Sequence, residues 1–462
     1  MYGKIKISPV SFVTLLKCEI VKKPNQHIKI KAEGYIDNLE DMLHTDWKKE
    51  EIQVYFIDEK GEKKRVFCGM MELWTVEEMG ALKKLYFEAV SFTVLLDWKK
   101  RVRVFQKQNQ RFEEIISFLT DSNTESSCIF TEDIRKKTDS IFVQYQETDW
   151  EFLIRVASYL NTVIIPDCTN NRTCYYFGLP KIEREFLDES SRYRVQENIA
   201  EWKQKKNGGL ETLGIQDVTD YIVSSDKYVE LCTPVEFQGK SLRVAEISSK
   251  WENGEVLHEY RLRTDYGFKT VSYFNPFISG LSMKGRVEDV KEEKVRIKVL
   301  DTEGGFDENS HWFDFATVYA SGKNALWYCM PEKGDMIRIY FPDSCEKNAF
   351  VLSAVHLEQQ RGWKLEPEKK FIRTVDDKEI RLEPECIKIT NHKGMSIELN
   401  DKTGILIKSN KDIQIRSSGG INLDGGEDVN IIGKSGVFLK QNQNILAVCD
   451  GILEKASKVE HR

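Results

Sequence analysis

Seven pairs of apolar residues recur near the C-terminus, each pair eight residues after the last: Ile397/Leu399, Ile405/Ile407, Ile413/Ile415, Ile421/Leu423, Val429/Ile431, Val437/Leu439 and Ile445/Ala447. Within a pair the i, i+2 spacing puts both side chains on one face of a strand. From the second pair on, the preceding residue is Gly404, Asp412, Gly420, Asp428, Gly436 or Asn444, types that tolerate positive φ and so mark tight corners. No proline follows Pro384, so a strand ladder can run unbroken.

Eight residues make one short strand and a corner. A single chain needs about 20–25 residues to close a turn around a packed interior at roughly 3.3 Å per residue. One octad cannot enclose anything, whereas three chains each supplying one side can. The repeat therefore predicts a homotrimeric, triple-stranded β-helix with all fourteen of these side chains on the common axis. Stacking at about 4.8 Å per strand gives a rod about 30–35 Å long. Burying two aliphatic side chains per octad contributes at most about 3–6 kcal/mol per chain, and only once the chains associate.

Upstream, about Lys284 to His356 reads as five short alternating strands: "GRVEDV", "KVRIKVL", "FATVYAS", "GDMIRIYF" and "NAFVLSAVH". That pattern predicts a small barrel of the oligonucleotide/oligosaccharide-binding (OB) type. The first 275 residues mix strands ("KIKISPVSFV", "HIKIKAEGYI", "IQVYFIDE", "KRVFCGMMELWTV", "LYFEAVSFTVLL", "SLRVAEISSKW") with two amphipathic helices. In one, Phe112, Ile115, Ile116 and Leu119 share a face. In the other, Phe152, Val156 and Tyr159 do, with Leu153 and Leu160 alongside; Thr148 and Glu151 form a capping-box pattern at its start. The expected fold is mainly β, with domains at 1–275, 276–360 and 361–450 and a tail at 451–462.

Composition narrows the function. A net charge of −6 argues against nucleic acid, which needs a basic face. The basic cluster "DWKKRVRVFQK" reads as a solvated strand edge. No run of eighteen apolar residues is present, and the N-terminus reads as a first strand with no signal peptide, so the protein is expected to be made in the cytoplasm. The ten cysteines form no CxxC pair. Cys168 and Cys174 bracket a hairpin tip where a bridge fits, but the scatter of the rest favours reduced thiols.

Chemistry is hard to find. HExxH, GxSxG and a complete phosphate loop are absent. "GKS" at Gly433–Ser435 lacks the first glycine of such a loop, since Asp428 stands there. "GGINLDGG" resembles calcium-binding repeats, but those have period nine. Asp424, Glu427 and Asp428 form an acidic corner that reads as solvated rather than cation-binding. No catalytic, cofactor or metal residue is assigned.

The barrel stretch resembles that of the VgrG family, the spikes of type VI secretion and related contractile injection systems, which are similar to contractile-phage tail spikes. The matching positions are Trp312, Ala316, Ala320, Gly322, Pro331, Gly334 and Asp335. Ser353-Ala354 departs from the pattern, where glycine is usual. "RVFQ" and "VQYQETDWEFLIRVASYLN" resemble the family's hub segments at Arg103, Phe105, Gln106, Gln144, Glu147, Asp149, Phe152 and Arg155; these read as structural. The resemblance implies a hub of two related barrels, so that three copies present six similar surfaces to a hexameric inner-tube protein. It further implies baseplate proteins, a PAAR-like tip protein and effector cargo as partners, and export on contraction. The fifteen residues Leu357–Phe371 leave no room for a lysozyme domain between barrel and rod. A trimeric fibre that binds or cleaves cell-surface glycans is the rival reading. The positions between the apolar pairs disfavour it, because Phe438 is their one aromatic.

Overall fold

A computed structural model describes residues 2–460 other than 59, 124, 132–133, 253, 304–308, 322–324 and 353–365. The chain divides into two compact units, 1–358 and 359–462.

In the first unit a twelve-stranded sheet fills the stretch that the sequence reads as the hub. Its hydrogen-bonded order is Tyr2–Ser8, Glu51–Asp58, Lys63–Met79, Leu82–Ser91, Lys29–Ile36, Thr14–Lys22, Lys240–Glu252, Glu255–Arg263, Thr219–Ser225 and Tyr193–Glu197. Pro234–Phe237 joins Lys240–Glu252 and carries the short strand Glu185–Phe186.

Strict alternation drives this sheet. Lys29–Ile36 buries Ile30, Ala32 and Ile36 and turns Lys29, Lys31 and Glu33 outward, as period two requires. The sheet curls into two barrel-like halves that share one hairpin. Lys240–Arg243 pairs with Pro234–Phe237, whereas Ile247–Glu252 pairs with Lys17–Lys22. A bulge between Val244 and Glu246 lies where the strand passes from one half to the other. The first half packs Ile20, Ile30, Val54, Phe56, Phe67 and Phe87. The second packs Val223, Val235, Phe237, Val244, Tyr260 and Leu262.

The two expected helices are present as Phe112–Asp121 and Asp149–Tyr159. The four apolar residues named for the first are all buried. At the second, Thr148 accepts from Glu151 N while the Glu151 carboxylate accepts from Thr148 N, so the capping box is formed. Two helices lacked a readable stripe, Leu39–His44 and Ile199–Asn207; the latter buries no residue. "FTVLL" departs from the strand expectation: it is a 3-10 turn, Phe92–Asp97, following a strand that ends at Ser91.

The OB-type barrel comprises Ser282–Lys291, Lys294–Val299, Phe313–Asp314, Met336–Tyr340 and Phe350–Leu352. The first strand pairs with the second and the fourth, the second with the third, and the fourth with the fifth. A parallel bridge from Phe315 to Val351 closes the third strand onto the fifth. "FATVYAS" is not the continuous strand its alternation suggests. Its start follows the third strand, and its end, Ala320–Ser321, forms a separate small hairpin with Ala325–Leu326.

"PEKGD" is a turn. Gly334 has φ +97°, a conformation glycine adopts without strain. The Asp335 carboxylate accepts from Glu332 N at 2.8 Å. Gly322, Ser353 and Ala354 lie outside the described residues.

Candidate functional site

In the second unit, Lys370–Arg373, Glu379–Glu383, Cys386–Thr390, Ser396–Asn400 and Gly404–Lys408 form an antiparallel meander. The register aligns Ile397 with Ile407 and Leu399 with Ile405, then continues to Ile389 and Ile387, and to Ile380 and Leu382. The apolar pairs thus stand side by side as one ladder, with Arg381, Lys388 and Glu398 on the opposite face.

The ladder is uncovered within the chain. Ile405 is 72% exposed, Ile415 72% and Leu423 71%, and Ile407, Ile413, Ile421, Val429, Ile431 and Leu439 are all more than half exposed. Ile397 and Leu399 are somewhat more sheltered, at 41% and 42%. Among the described residues no strand lies between Lys408 and Val437. The segment holding Ile413, Ile415, Ile421, Leu423, Val429 and Ile431 therefore has neither a packed apolar face nor a strand partner among the described residues.

The last two pairs do not share a face. Val437–Gln441 pairs with Asn444–Val448 so that Val437 faces Val448 and Leu439 faces Leu446, while Ile445 faces Lys440 and Ala447 faces Phe438. Ile445 and Ala447 therefore stand on the face opposite to Val437 and Leu439, and Ala447 is buried. The turns explain this. Three residues, Asp401 to Thr403, separate the paired ends of one hairpin and preserve odd-with-odd pairing. Two, Asn442 and Gln443, separate those of the other and exchange odd for even. The corners differ from expectation in the same way: Gly404 and Gly436 have positive φ, whereas Asp412, Gly420, Asp428 and Asn444 do not, and Asn442 does.

The family-like hub residues converge on a buried junction. Arg103 Nη1 donates to Asp149 Oδ1 at 2.5 Å and to Gln144 Oε1 at 3.1 Å. Gln144 Nε2 donates to Asp149 Oδ1 at 2.9 Å, and Phe105 stacks on Phe152 at 5.6 Å. Arg155 donates through Nε and Nη2 to the two Glu147 oxygens at 2.7 and 2.8 Å, and through Nη1 to Glu346 Oε1 at 2.7 Å. Glu346 belongs to the turn between the fourth and fifth barrel strands, so one helix side chain ties the hub to the OB-type barrel.

Arg155 and Glu346 are each only 3% exposed. Burial pushes the Glu147 carboxyl above its usual range, and the nearby Glu346 adds to that, against the pull of Arg155. The solvated-edge expectation for the basic cluster is corrected here. Arg103 is buried, and Arg101 pairs with Glu303 at 3.1 Å.

A second buried charge cluster lies where the two hub halves meet. Lys22 Nζ donates to Glu230 Oε1 at 2.8 Å and to the Tyr228 hydroxyl at 2.9 Å. Burial opposes charge on both ends, yet their attraction wins, lifting Lys22 and lowering Glu230. His258 is fully buried among the Phe56, Tyr228 and Tyr260 rings, with Nδ1 at 2.8 Å from Ser249 Oγ. Burial, helped by Lys22, pushes its pKa down to about 4.

Cys168 and Cys174 are free thiols, the first buried and the second half-buried. Among the described residues no cluster of His, Cys, Asp and Glu could hold a metal ion, and no helix is long and apolar enough to cross a membrane.

No family model matches the chain, and no curated protein matches it in sequence. Solved structures do. An Escherichia coli type VI secretion component, c3393, itself similar to T4 bacteriophage tail proteins gp27 and gp5, aligns with a TM-score of 0.54 at 11% identity, covering 75% of this chain and 99% of that one. The half-lidded Francisella PdpA-VgrG complex aligns at TM-score 0.56 and 11% identity, covering 88% of both chains. Its lidded form gives 0.57 at 10% identity, over 86% of this chain and 76% of that one. In fold, therefore, the chain is similar to these type VI secretion proteins, a VgrG complex among them, and through c3393 to the T4 tail proteins gp27 and gp5.

Proposed function

We propose that the protein is the homotrimeric spike and hub of a contractile injection particle, acting mechanically. The hub docks on a hexameric inner tube and on baseplate proteins. The octad segment forms a triple-stranded β-helix that pierces the target envelope and passes force to a PAAR-like tip protein, with effector cargo attached. Export follows contraction of the particle.

The observation that carries this reading is the uncovered apolar ladder. Side chains of Ile, Leu and Val recurring on an eight-residue beat, most of them more than half exposed, represent a contiguous apolar surface that an isolated subunit would leave in water. Among the described residues the backbone from 409 to 436 has no strand partner, and backbone groups that become buried must be paired. Two further copies supply both the apolar cover and the strand partners.

Sedimentation of the full-length protein tests it: a trimer is expected, and a stable monomer would overturn the reading. The glycan-binding rival finds one observation in its favour. Trp327 N donates to the Tyr319 carbonyl at 2.9 Å on the small hairpin beside the OB-type barrel, and the two residues are 48% and 55% exposed, aromatic side chains of the kind on which sugars stack. Retention of polysaccharide by the native protein, lost in Trp327→Ala, would favour that rival.

A further inference from the structure

Three loops converge on one groove in the first unit. Residues 160–162 follow the helix Asp149–Tyr159, residues 179–182 follow the strand Thr173–Phe177, and residues 265–269 follow the strand Glu255–Arg263. Together with Arg243 they enclose about 560 Å³, within the range of about 300–1,000 Å³ common for binding clefts. Hydrogen bonds hold the walls. Asn161 Nδ2 donates to the Thr270 carbonyl at 2.8 Å, and Thr270 Oγ1 donates to the Thr162 carbonyl at 2.9 Å. Arg243 Nη1 donates to the Pro180 and Cys232 carbonyls at 3.2 and 2.7 Å.

The groove is mixed in character. Leu160, Leu179, Ile182 and Phe268 supply apolar surface, and Tyr266 supplies an aromatic face. The charges in the lining are three cations, Lys181, Arg243 and Lys269, and one carboxylate, Asp265. Arg243 already holds that carboxylate, with Nε at 2.8 Å and Nη2 at 3.0 Å. Neither lysine forms an ion pair among the described residues, and the Lys269 ammonium lies 4.2 Å from the centre of the Tyr266 ring. The next charges along the loop, Glu183 and Arg184, do not line the groove, and Arg184 pairs with Glu236 at 3.6 Å. The lining is therefore left positive.

One wall also has unused backbone. Residues 179–184 belong to no strand, and the main-chain groups of Leu179, Lys181 and Ile182 have no hydrogen-bond partner among the described residues. Free main-chain donors and acceptors beside an apolar groove suit the addition of a second, extended chain, whose alternate side chains then reach the floor.

We propose that this groove docks an extended, acidic segment of a separate protein. The backbone of the segment pairs with residues 179–182. Its carboxylates meet Lys181 and Lys269, and its apolar side chains meet Leu160, Ile182 and Phe268. Two unpaired ammonium groups beside a neutralised Arg243–Asp265 pair select a segment bearing glutamate or aspartate and disfavour one bearing lysine or arginine. The walls are already held in place, so little ordering of this chain opposes binding. The inference stands apart from the trimer reading, since one subunit supplies every residue named.

The test titrates native full-length protein into a short fluorescein-labelled peptide that alternates glutamate with valine, at physiological salt, and follows anisotropy. Saturable binding is expected. Lys181→Glu combined with Lys269→Glu should weaken it at least about tenfold. Lys48→Glu combined with Lys63→Glu makes the same charge change at two exposed lysines of the first hub half, and should weaken it by less than about threefold because salt screens distant charges. N-methylation of alternate peptide amides should also weaken binding, because the backbone pairing is lost. No saturable binding, equal binding of the peptide with lysine in place of glutamate, or an affinity that the Lys181 and Lys269 changes leave intact overturns the inference. Competition by polyphosphate as strong as by unlabelled peptide, with N-methylation without effect, overturns it too, since the groove would then be reading charge alone.

Discussion

The Arg155 guanidinium donates to the Glu346 carboxylate at 2.7 Å across the boundary between the hub helix and the OB-type barrel. Both groups are buried, and Glu147 completes the clamp from the strand before the helix. Breaking a buried pair from one side leaves an uncompensated charge, which costs about 3–5 kcal/mol. Arg155→Ala strands two carboxylates and is expected to lose that amount in urea denaturation of the full chain. Glu346→Ala, which leaves Arg155 with Glu147 and the Val143 carbonyl, should cost less, about 1.5–3 kcal/mol. A cost for Arg155→Ala no larger than that of an exposed arginine would show that the junction does not hold these elements together.

Assembly should depend on the octads rather than on the hub fold. Replacing Ile413, Ile415, Ile421 and Leu423 together by serine removes exposed apolar surface that has no intrachain role. Trimer dissociation is expected in sedimentation, with the near-ultraviolet circular dichroism of the hub aromatics unchanged. Retention of the trimer by this variant would place the association elsewhere.

Acid should weaken the hub through His258. Its folded pKa of about 4 lies below the ordinary value of 6.5, so between those values the unfolded chain binds the extra proton. Its contribution is therefore fully present above about pH 6.5 and is lost as pH falls toward 4, by at most about 3 kcal/mol. Glu147, lifted by burial, acts in the opposite sense: it favours the folded state at low pH and loses that contribution as pH rises. Unfolding free energies at a series of pH values, for the wild type and His258→Gln, separate the two. The difference between the proteins should slope through that window and flatten above it; a constant difference would mean that His258 does not titrate differently on folding.

Much of the fold was legible because its signals are local. Alternation in "HIKIKAEGYI" and "IQVYFIDE" gave strands, and Thr148 with Glu151 gave the start of a helix. Long-range pairings carry no such signal. Nothing near Lys240 announces that its strand serves both hub halves, and nothing near Glu346 announces that it meets Arg155, 191 positions earlier. The octad beat gave the apolar ladder but not the parity of its turns. A count of eight says nothing about whether two residues or three will span a hairpin, and that choice sends Ile445 and Ala447 to the other face. The basic cluster at Arg101–Arg103 misled because charge suggests solvent, whereas Arg103 has Asp149 and Gln144 waiting for it.

The hairpin common to the two hub halves has a mechanical consequence. Because Lys240–Glu252 and Glu255–Arg263 complete both walls, neither half can open without tearing the seam of its neighbour. A load applied to either one would be borne by the same pair of strands, so in the proposed spike the two halves would move together as one stiff collar.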